Sequence, residues 1–286
     1  MGRHNEEMLD AKHSRRPVAR TVITEIRDGH TRRRSDRLAG EEPMEIRAGG
    51  PAQEPAPVAV TMRTPGNDFE LAVGFLFTEG LLDPTSLTKV SYCDSLDTEQ
   101  NYNVVTVRTT APFDAGSLKR NFYTTSSCGI CGKASLDDVE VRCAPMVGGP
   151  EMTLAVIGGL PDTLRSAQRV FDATGGLHAA ALFTADGTLV AMREDVGRHN
   201  AVDKIIGHSL LSGAPDFGRQ IMMVSGRASF EIVQKAAVAG VPVLCAVSAP
   251  SSLAVSAADR LGVTLIGFLR GSGCNVYAHP ERISDL

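Results

Sequence analysis

The spacing of hydrophobic positions changes along the chain, and each change predicts an element. Residues 58–63 (VAVTMR) alternate in the manner of a half-buried strand. Phe69, Val73, Leu76 and Phe77 then recur at helical spacing, and Gly80 ends the run. Asn67 stands where an N-cap is expected, with Glu70 three residues on, a variant of the capping box. Residues 103–109 (NVVTVRT) are rich in β-formers. These elements predict a small α+β lobe.

Beyond about residue 151 the pattern becomes that of an α/β lobe. Residues 180–183 and 188–192 flank Asp186-Gly187, a strong hairpin signal. Three apolar strands follow, at 221–225, 241–247 and 263–268, separated by helical patterns at 229–239 and 251–261. Strands alternating with helices predict right-handed crossovers and a parallel sheet covered on both faces. The expected organisation is a mobile charged arm over 1–40, the α+β lobe over 41–120, a linking loop over 121–150, and the α/β lobe over 151–286. HTRRRSDR at 30–37 is why the arm is expected to be solvated. PAQEPAP at 51–57 reads as a turn-rich connector.

Composition narrows the class. A chain of 286 residues accommodates two domains at roughly 100–200 residues each. With 43% hydrophobic and 22% charged residues it has the make-up of a soluble globular protein. A net charge of −4 lacks the basic surplus of a general nucleic-acid binder. Six cysteines are too sparse for a disulfide scaffold. The longest nearly apolar run, 236–249, contains Gly240 and Pro242 and is shorter than the roughly 20 residues that span a bilayer. No charged start leads into an apolar segment of the secretory type. The expectation is a cytoplasmic protein with no membrane partner.

Two places carry candidate chemistry. The first is the carboxyl end of the predicted parallel strands, where α/β sheets bind ligands. Ser225-Gly226-Arg227, Ser248 with Ser251 and Ser252, and Arg270-Gly271 all fall there. Helix N-termini and arginine both suit phosphate, so a phosphate-bearing ligand is expected. Ordinary helix capping accounts for Ser251 and Ser252 equally well, but not for two arginines at matching positions.

The second is TTSSCGICGKASL, which sets Cys128 and Cys131 two residues apart in a Ser/Thr/Gly-rich stretch. Lys133 beside the pair favours thiolate, lowering a thiol pKa from about 8.5 toward neutrality. Four readings compete: a zinc site, a dithiol oxidoreductase, a buried structural pair, and a carrier that holds sulfur as a persulfide. Zinc requires further ligands, and Cys93 and Cys143 match no common module, so no metal is expected. The polar flanks count against burial. A third constellation, EDVGRHNAVDK at 194–204, could turn Asp195, His199, Asp203 and Lys204 toward one cleft. His178 could face the site or pack beneath it.

Taken together, PGNDFELAVGFLFTEG (65–80), SSCGICGKASL (126–136), GGLHAAALF (175–183), EDVGRHNAVDK (194–204), SGRASFE (225–231) and IGFLRG (266–271) resemble the formate dehydrogenase accessory sulfurtransferases, the FdhD family, over most of the chain. The resemblance implies a sulfur carrier. Such proteins take persulfide sulfur from a cysteine desulfurase and pass it to the molybdenum bis-guanine-dinucleotide cofactor of formate dehydrogenase. It makes Cys128 the carrier and Cys131 its assistant. It assigns Phe268, Leu269, Arg270, Gly271, Ser272 and Gly273 to cofactor binding, where a guanine nucleotide can substitute. It further implies a homodimer and a cytidine-deaminase-like second lobe with a βαβαβ core. Deaminase chemistry itself is excluded on mechanism, because His178-Ala179-Ala180 has alanine where the H-x-E glutamate is required. A cofactor-binding chaperone without sulfur chemistry is the rival reading.

Overall fold

The computed structural model describes residues 16–92, 103–114, 143–213 and 216–286. Residues 18–39, expected within a mobile arm, form an antiparallel ribbon of β1 (Val18–Arg27) and β2 (His30–Ala39). Its turn is Asp28-Gly29, with both residues at positive φ (50° and 78°), as a two-residue hairpin turn requires. The arginines that suggested a solvated arm are partly paired across the ribbon. Glu25 accepts from Arg32 and Arg34, and Arg34 also reaches Asp36 at 2.8 Å.

The first lobe is a four-stranded sheet in the order β4-β3-β6-β5. Its strands are β3 (Glu42–Gly49), β4 (Ala56–Arg63), β5 (Leu87–Tyr92) and β6 (Val104–Thr109). Helix α1 (Asp68–Thr78) covers one face through Leu71, Ala72, Val73 and Leu76, packed on Met44, Ile46, Val105 and Val107. Its start departs from the expected cap. Asn67 is left-handed (φ 58°) and its side chain caps nothing. Asp68 instead accepts from the Gly66 N–H and grips the buried Arg63 guanidinium at 3.1 and 2.9 Å. Glu70, the expected capping partner, points away to Arg193 (2.7 Å) and His208 (3.0 Å). Partnering buried or half-buried cations outweighs closing a cap at the surface.

The second lobe begins with α2 (Leu154–Ala167) and the short α3 (Arg169–Thr174). A hairpin follows, β7 (His178–Phe183) and β8 (Leu189–Asp195), turning at Asp186-Gly187 as predicted. Then come α4 (Arg198–Leu211), β9 (Ile221–Val224), α5 (Phe230–Ala239), β10 (Val243–Ala246), α6 (Ser252–Leu261), β11 (Thr264–Arg270) and β12 (Gly273–Ala278). The sheet order is β12-β11-β10-β9-β7-β8. The β9–β10–β11 core is parallel, as expected, but both margins are antiparallel, through β12 on one side and β7 with β8 on the other.

Side-chain parity divides the core. Ala180, Leu182, Met222, Val224, Leu244 and Ala246 face α4, α5 and α6, while Ala179, Ala181, Phe183, Ile221, Met223, Val243 and Cys245 face α2. The strands carry apolar residues at both parities because both faces are covered.

The lobes meet where α1 crosses α4. A β-carbon added at Gly74 would lie 1.8 Å from the Asp203 carbonyl oxygen, and one at Gly207 would lie 1.9 Å from the Glu70 carbonyl oxygen. Only glycine at both positions permits this backbone contact. Gly74→Ala is therefore expected to destabilise the protein by about 3 kcal/mol or more, at or beyond the upper end of overpacking costs. Gly159→Ala, on α2 with open space around it, is expected to be neutral or to stabilise by up to about 1 kcal/mol through helix propensity. Chemical denaturation of the two variants tests the crossing.

Candidate functional site

The carboxyl ends of β9, β10 and β11 lie together at one end of the sheet, as the sequence predicted. The antiparallel margins add to them. Because β7 runs against β9, pairing Ala180 with Val224, its first residue His178 comes beside Gly226. The start of α4 follows β8 to the same end, where Asp195 pairs with His178. Gly226 is needed there, since a β-carbon on it would sit 3.3 Å from His178 Nδ1 and 4.0 Å from Arg198 Cβ.

The serines are largely occupied in holding the scaffold. Ser225 Oγ accepts from the Ala179 N–H at 2.8 Å, and its own N–H donates to the Ala179 carbonyl. Ser251 caps α6 by accepting from the Ala254 N–H. The Ser248 carbonyl accepts from the Phe268 N–H. The capping reading thus holds for Ser251, while Arg227 stays exposed beside Gly226.

The segment 268–273 is the end of β11 and its turn into β12, a strand the sequence reading did not anticipate. Pairing shifts between Gly267 and Arg270, which marks a bulge. At the bulge Phe268 adopts φ 51° with its ring 44% exposed, while Leu269 is buried. A bulky residue in the left-handed region is uncommon and costs on the order of 1–3 kcal/mol. The segment around it is tightly packed. Gly267 is hemmed in by Pro250 and Tyr277, and α2 meets the turn so closely that a β-carbon on Gly158 would lie 2.8 Å from the Gly271 carbonyl oxygen. Arg270, Gly271, Ser272 and Gly273 are left exposed at the tip.

The constellation at 194–204 does not converge on one cleft. Asp195 and Lys204 are sealed between the lobes, 2.7 Å apart. Asp203 bonds Thr78 at 2.7 Å and pairs with Lys235 at 3.0 Å, and burial pushes its carboxyl up to about 6. Only His199 reaches the site, with Nε2 3.3 Å from Ser229 Oγ at the head of α5. Burial, then the Arg198 and Lys235 charges, bring its imidazole down to about 4. His178 is lowered too, by burial and then by Arg198. Arg198 itself was missed by the sequence reading. Its only signal was its place directly after Gly197, where the helix opens onto the strand ends. Cys128, Cys131 and Cys93 lie outside the described residues.

Glycines at the strand ends, with arginines, histidines and helix starts gathered at one edge, give an α/β protein with a candidate site at the end of its sheet. The chain belongs to the FdhD/NarQ family, whose profile matches residues 39–284. It is 54% identical over 278 residues to the "Sulfur carrier protein FdhD" of Streptomyces avermitilis, covering 94% of this chain and 96% of that one. Its identity to the protein of the same name from Streptomyces coelicolor is 53% over 278 residues. The fold is similar to that of a crystal structure from Desulfotalea psychrophila, described as a candidate formate dehydrogenase accessory protein. That match has a TM-score of 0.73 at 24% identity and covers 93% of this chain and 99% of that one.

His199 gives the site a pH signature. An unfolded histidine takes up a proton near pH 6.5, while the folded one does so only near pH 4. Between these values the unfolded state binds the additional proton, so stability falls as pH drops from about 6.5 toward 4. NMR titration is expected to show the His199 ring still neutral at about pH 5.5, and His199→Gln is expected to flatten that part of the stability profile. A midpoint near 6.5 would contradict the assigned environment.

Proposed function

We propose that this protein is a cytoplasmic sulfur carrier, a sulfurtransferase that loads sulfur onto the molybdenum bis-guanine-dinucleotide cofactor required by formate dehydrogenase. What carries the reading is the name of its relatives: proteins more than half identical over nearly the whole chain are called sulfur carriers. The CxxC motif supplies thiols for the chemistry, and the strand-end site supplies a place for a phosphate-bearing acceptor.

In the proposed cycle the Cys128 thiolate attacks the terminal sulfur of a persulfide on a cysteine desulfurase. The donor's S–S bond breaks, the desulfurase cysteine leaves as thiolate, and Cys128 holds the sulfur as a persulfide. Cys131 then attacks Cys128 Sγ. Sulfide is released to the acceptor, and the two electrons come from the thiols, which end as a Cys128–Cys131 disulfide. A cellular dithiol reductant restores the pair. The acceptor is a substrate, and its phosphates suit Arg227 and Arg270 with the amides of the exposed Gly271–Gly273 turn. Ser225 and Gly226 shape the floor, and Phe268 and Leu269 set the edge. A homodimer and a cytidine-deaminase-like ancestry for the second lobe belong to the same proposal, the latter supported by the parallel β9–β10–β11 core.

Incubation with desulfurase and cysteine is expected to add about 32 Da, one sulfur atom, to the Cys128 peptide. Cys128→Ala is expected to abolish both the adduct and formate dehydrogenase maturation while leaving nucleotide binding intact. Full maturation by a variant lacking both cysteines would replace the carrier with a cofactor-binding chaperone.

A further inference from the structure

Arg198 opens α4 at the strand-end site, and its Nε is buried with no hydrogen-bond partner among the described residues. An unpaired guanidinium nitrogen shut away from water is costly, and such groups are normally matched. The nearest carboxylates do not match it. Asp195 Oδ1 already accepts from the Gly197 N–H and the Asn200 amide, and Oδ2 from the Thr64 N–H and Lys204. Glu231 is near enough to be influenced by Arg198, but the side chain it approaches is His199, at 3.8 Å. Glu79, which also acts on His199, is paired with Lys235 at 3.0 Å. His178 stands across Gly226, His199 follows in sequence, Lys235 lies behind, and Arg227 projects at the rim. Among the described residues no carboxylate accepts a hydrogen bond from the Arg198 Nε.

We infer that Arg198 is an anion anchor of this site, holding one phosphate of the ligand between the starts of α4 and α5, with His178 and His199 as neutral hydrogen-bonding groups beside it. The placement is distinct from the Arg270 turn. β11 and β9 are separated by β10, so the two arginines mark separate places across the sheet. Such a pair suits a ligand with more than one phosphate group. Neutral imidazoles suit the role because each keeps one N–H to donate, and their low proton affinity follows first from burial and then from the Arg198 charge. Gly226 completes the cradle by leaving open the space between His178 and Arg198.

This inference rests on the phosphate-ligand part of the proposed function and not on its sulfur chemistry. The test is calorimetric titration of the full chain with guanosine diphosphate and with inorganic pyrophosphate. Arg198→Met is expected to weaken both about tenfold or more, the loss of one charge-assisted contact. Arg198→Lys is expected to recover only part of the loss, since it keeps the charge without the fork. Arg219→Met, which removes an exposed arginine elsewhere, is expected to leave both affinities unchanged and so controls for net charge. Affinities for Arg198→Met within about twofold of the wild type, or a wild type that binds neither probe, would overturn the anchor. Sulfur loading on Cys128, followed by mass in the same variants, is expected to be unaffected. A failure of loading in the wild type would sink the carrier reading and leave the anchor standing.

Discussion

The contact on which the rest of the structure depends is the crossing of α1 and α4 at Gly74 and Gly207. With a glycine on each helix the backbones touch, so no side chain separates the lobes at that point. The residues flanking the crossing are then forced into the interface, and several of them are charged. Lys204 is 1% exposed and is matched by Asp195 at 2.7 Å and the Thr64 carbonyl at 2.9 Å. Lys235 is matched by Asp203, Glu79 and the Thr78 hydroxyl. Removing one member of such a pair typically costs about 3–5 kcal/mol, because its partner is left buried and uncompensated. Thr64, Thr78 and Glu79 come from the first lobe, and Asp195, Asp203, Lys204 and Lys235 from the second. The network therefore fixes the register of the two lobes as well as their contact.

Through α4 this lock also positions the site. Gly207 and Asp203 hold the helix against α1, Lys204 ties it to β8 and to Thr64 just after β4, and Arg198 and His199 at its start meet the strand ends. A helix held at three successive turns does not translate freely, so the backbone that carries Arg198 is fixed at the strand ends. The strain at Phe268 has a similar origin. Pro250, Tyr277 and the α2–Gly271 contact leave the β11 bulge one conformation, and that conformation displays an aromatic ring and a cationic turn. In both places close packing outside the site maintains an arrangement that the site's residues would not adopt alone.

Much of this was legible in the sequence, for identifiable reasons. The β9–β10–β11 core declared itself because apolar strands and helical spacing alternate there without interruption, and its carboxyl ends marked the candidate site by topology alone. Asp186-Gly187 gave the β7–β8 hairpin. The same dipeptide signal at Asp28-Gly29 was overshadowed by the arginines around it. Those charges read as solvation, whereas a two-stranded ribbon leaves them accessible while pairing its backbone. The Asn67 cap failed because Arg63, a residue of the preceding strand, claims Asp68. Such a competition is decided by burial and has no local mark. The apparent cluster at 194–204 dissolved for the same reason: partners such as Thr64, Thr78 and Lys235 lie far away in sequence, so nothing in the motif shows which of its charges are already satisfied.

The division of labour at the strand ends also changes which residues can recognise a ligand. Serines are among the residues that the strand ends present, yet Ser225 and Ser251 are committed to backbone amides. What remains is cationic charge, neutral imidazole and free amide. That charge is local, because the chain as a whole carries −4. At physiological ionic strength its field fades over about 8 Å. Long-range steering of a polyanion to this surface is therefore weak, and discrimination has to come from contacts already in position when the ligand arrives. An arginine whose Nε is already buried and without a partner among the described residues is suited to that task. Its desolvation is incurred when the protein folds and not when the ligand binds, so the contact is spared that part of the cost on association.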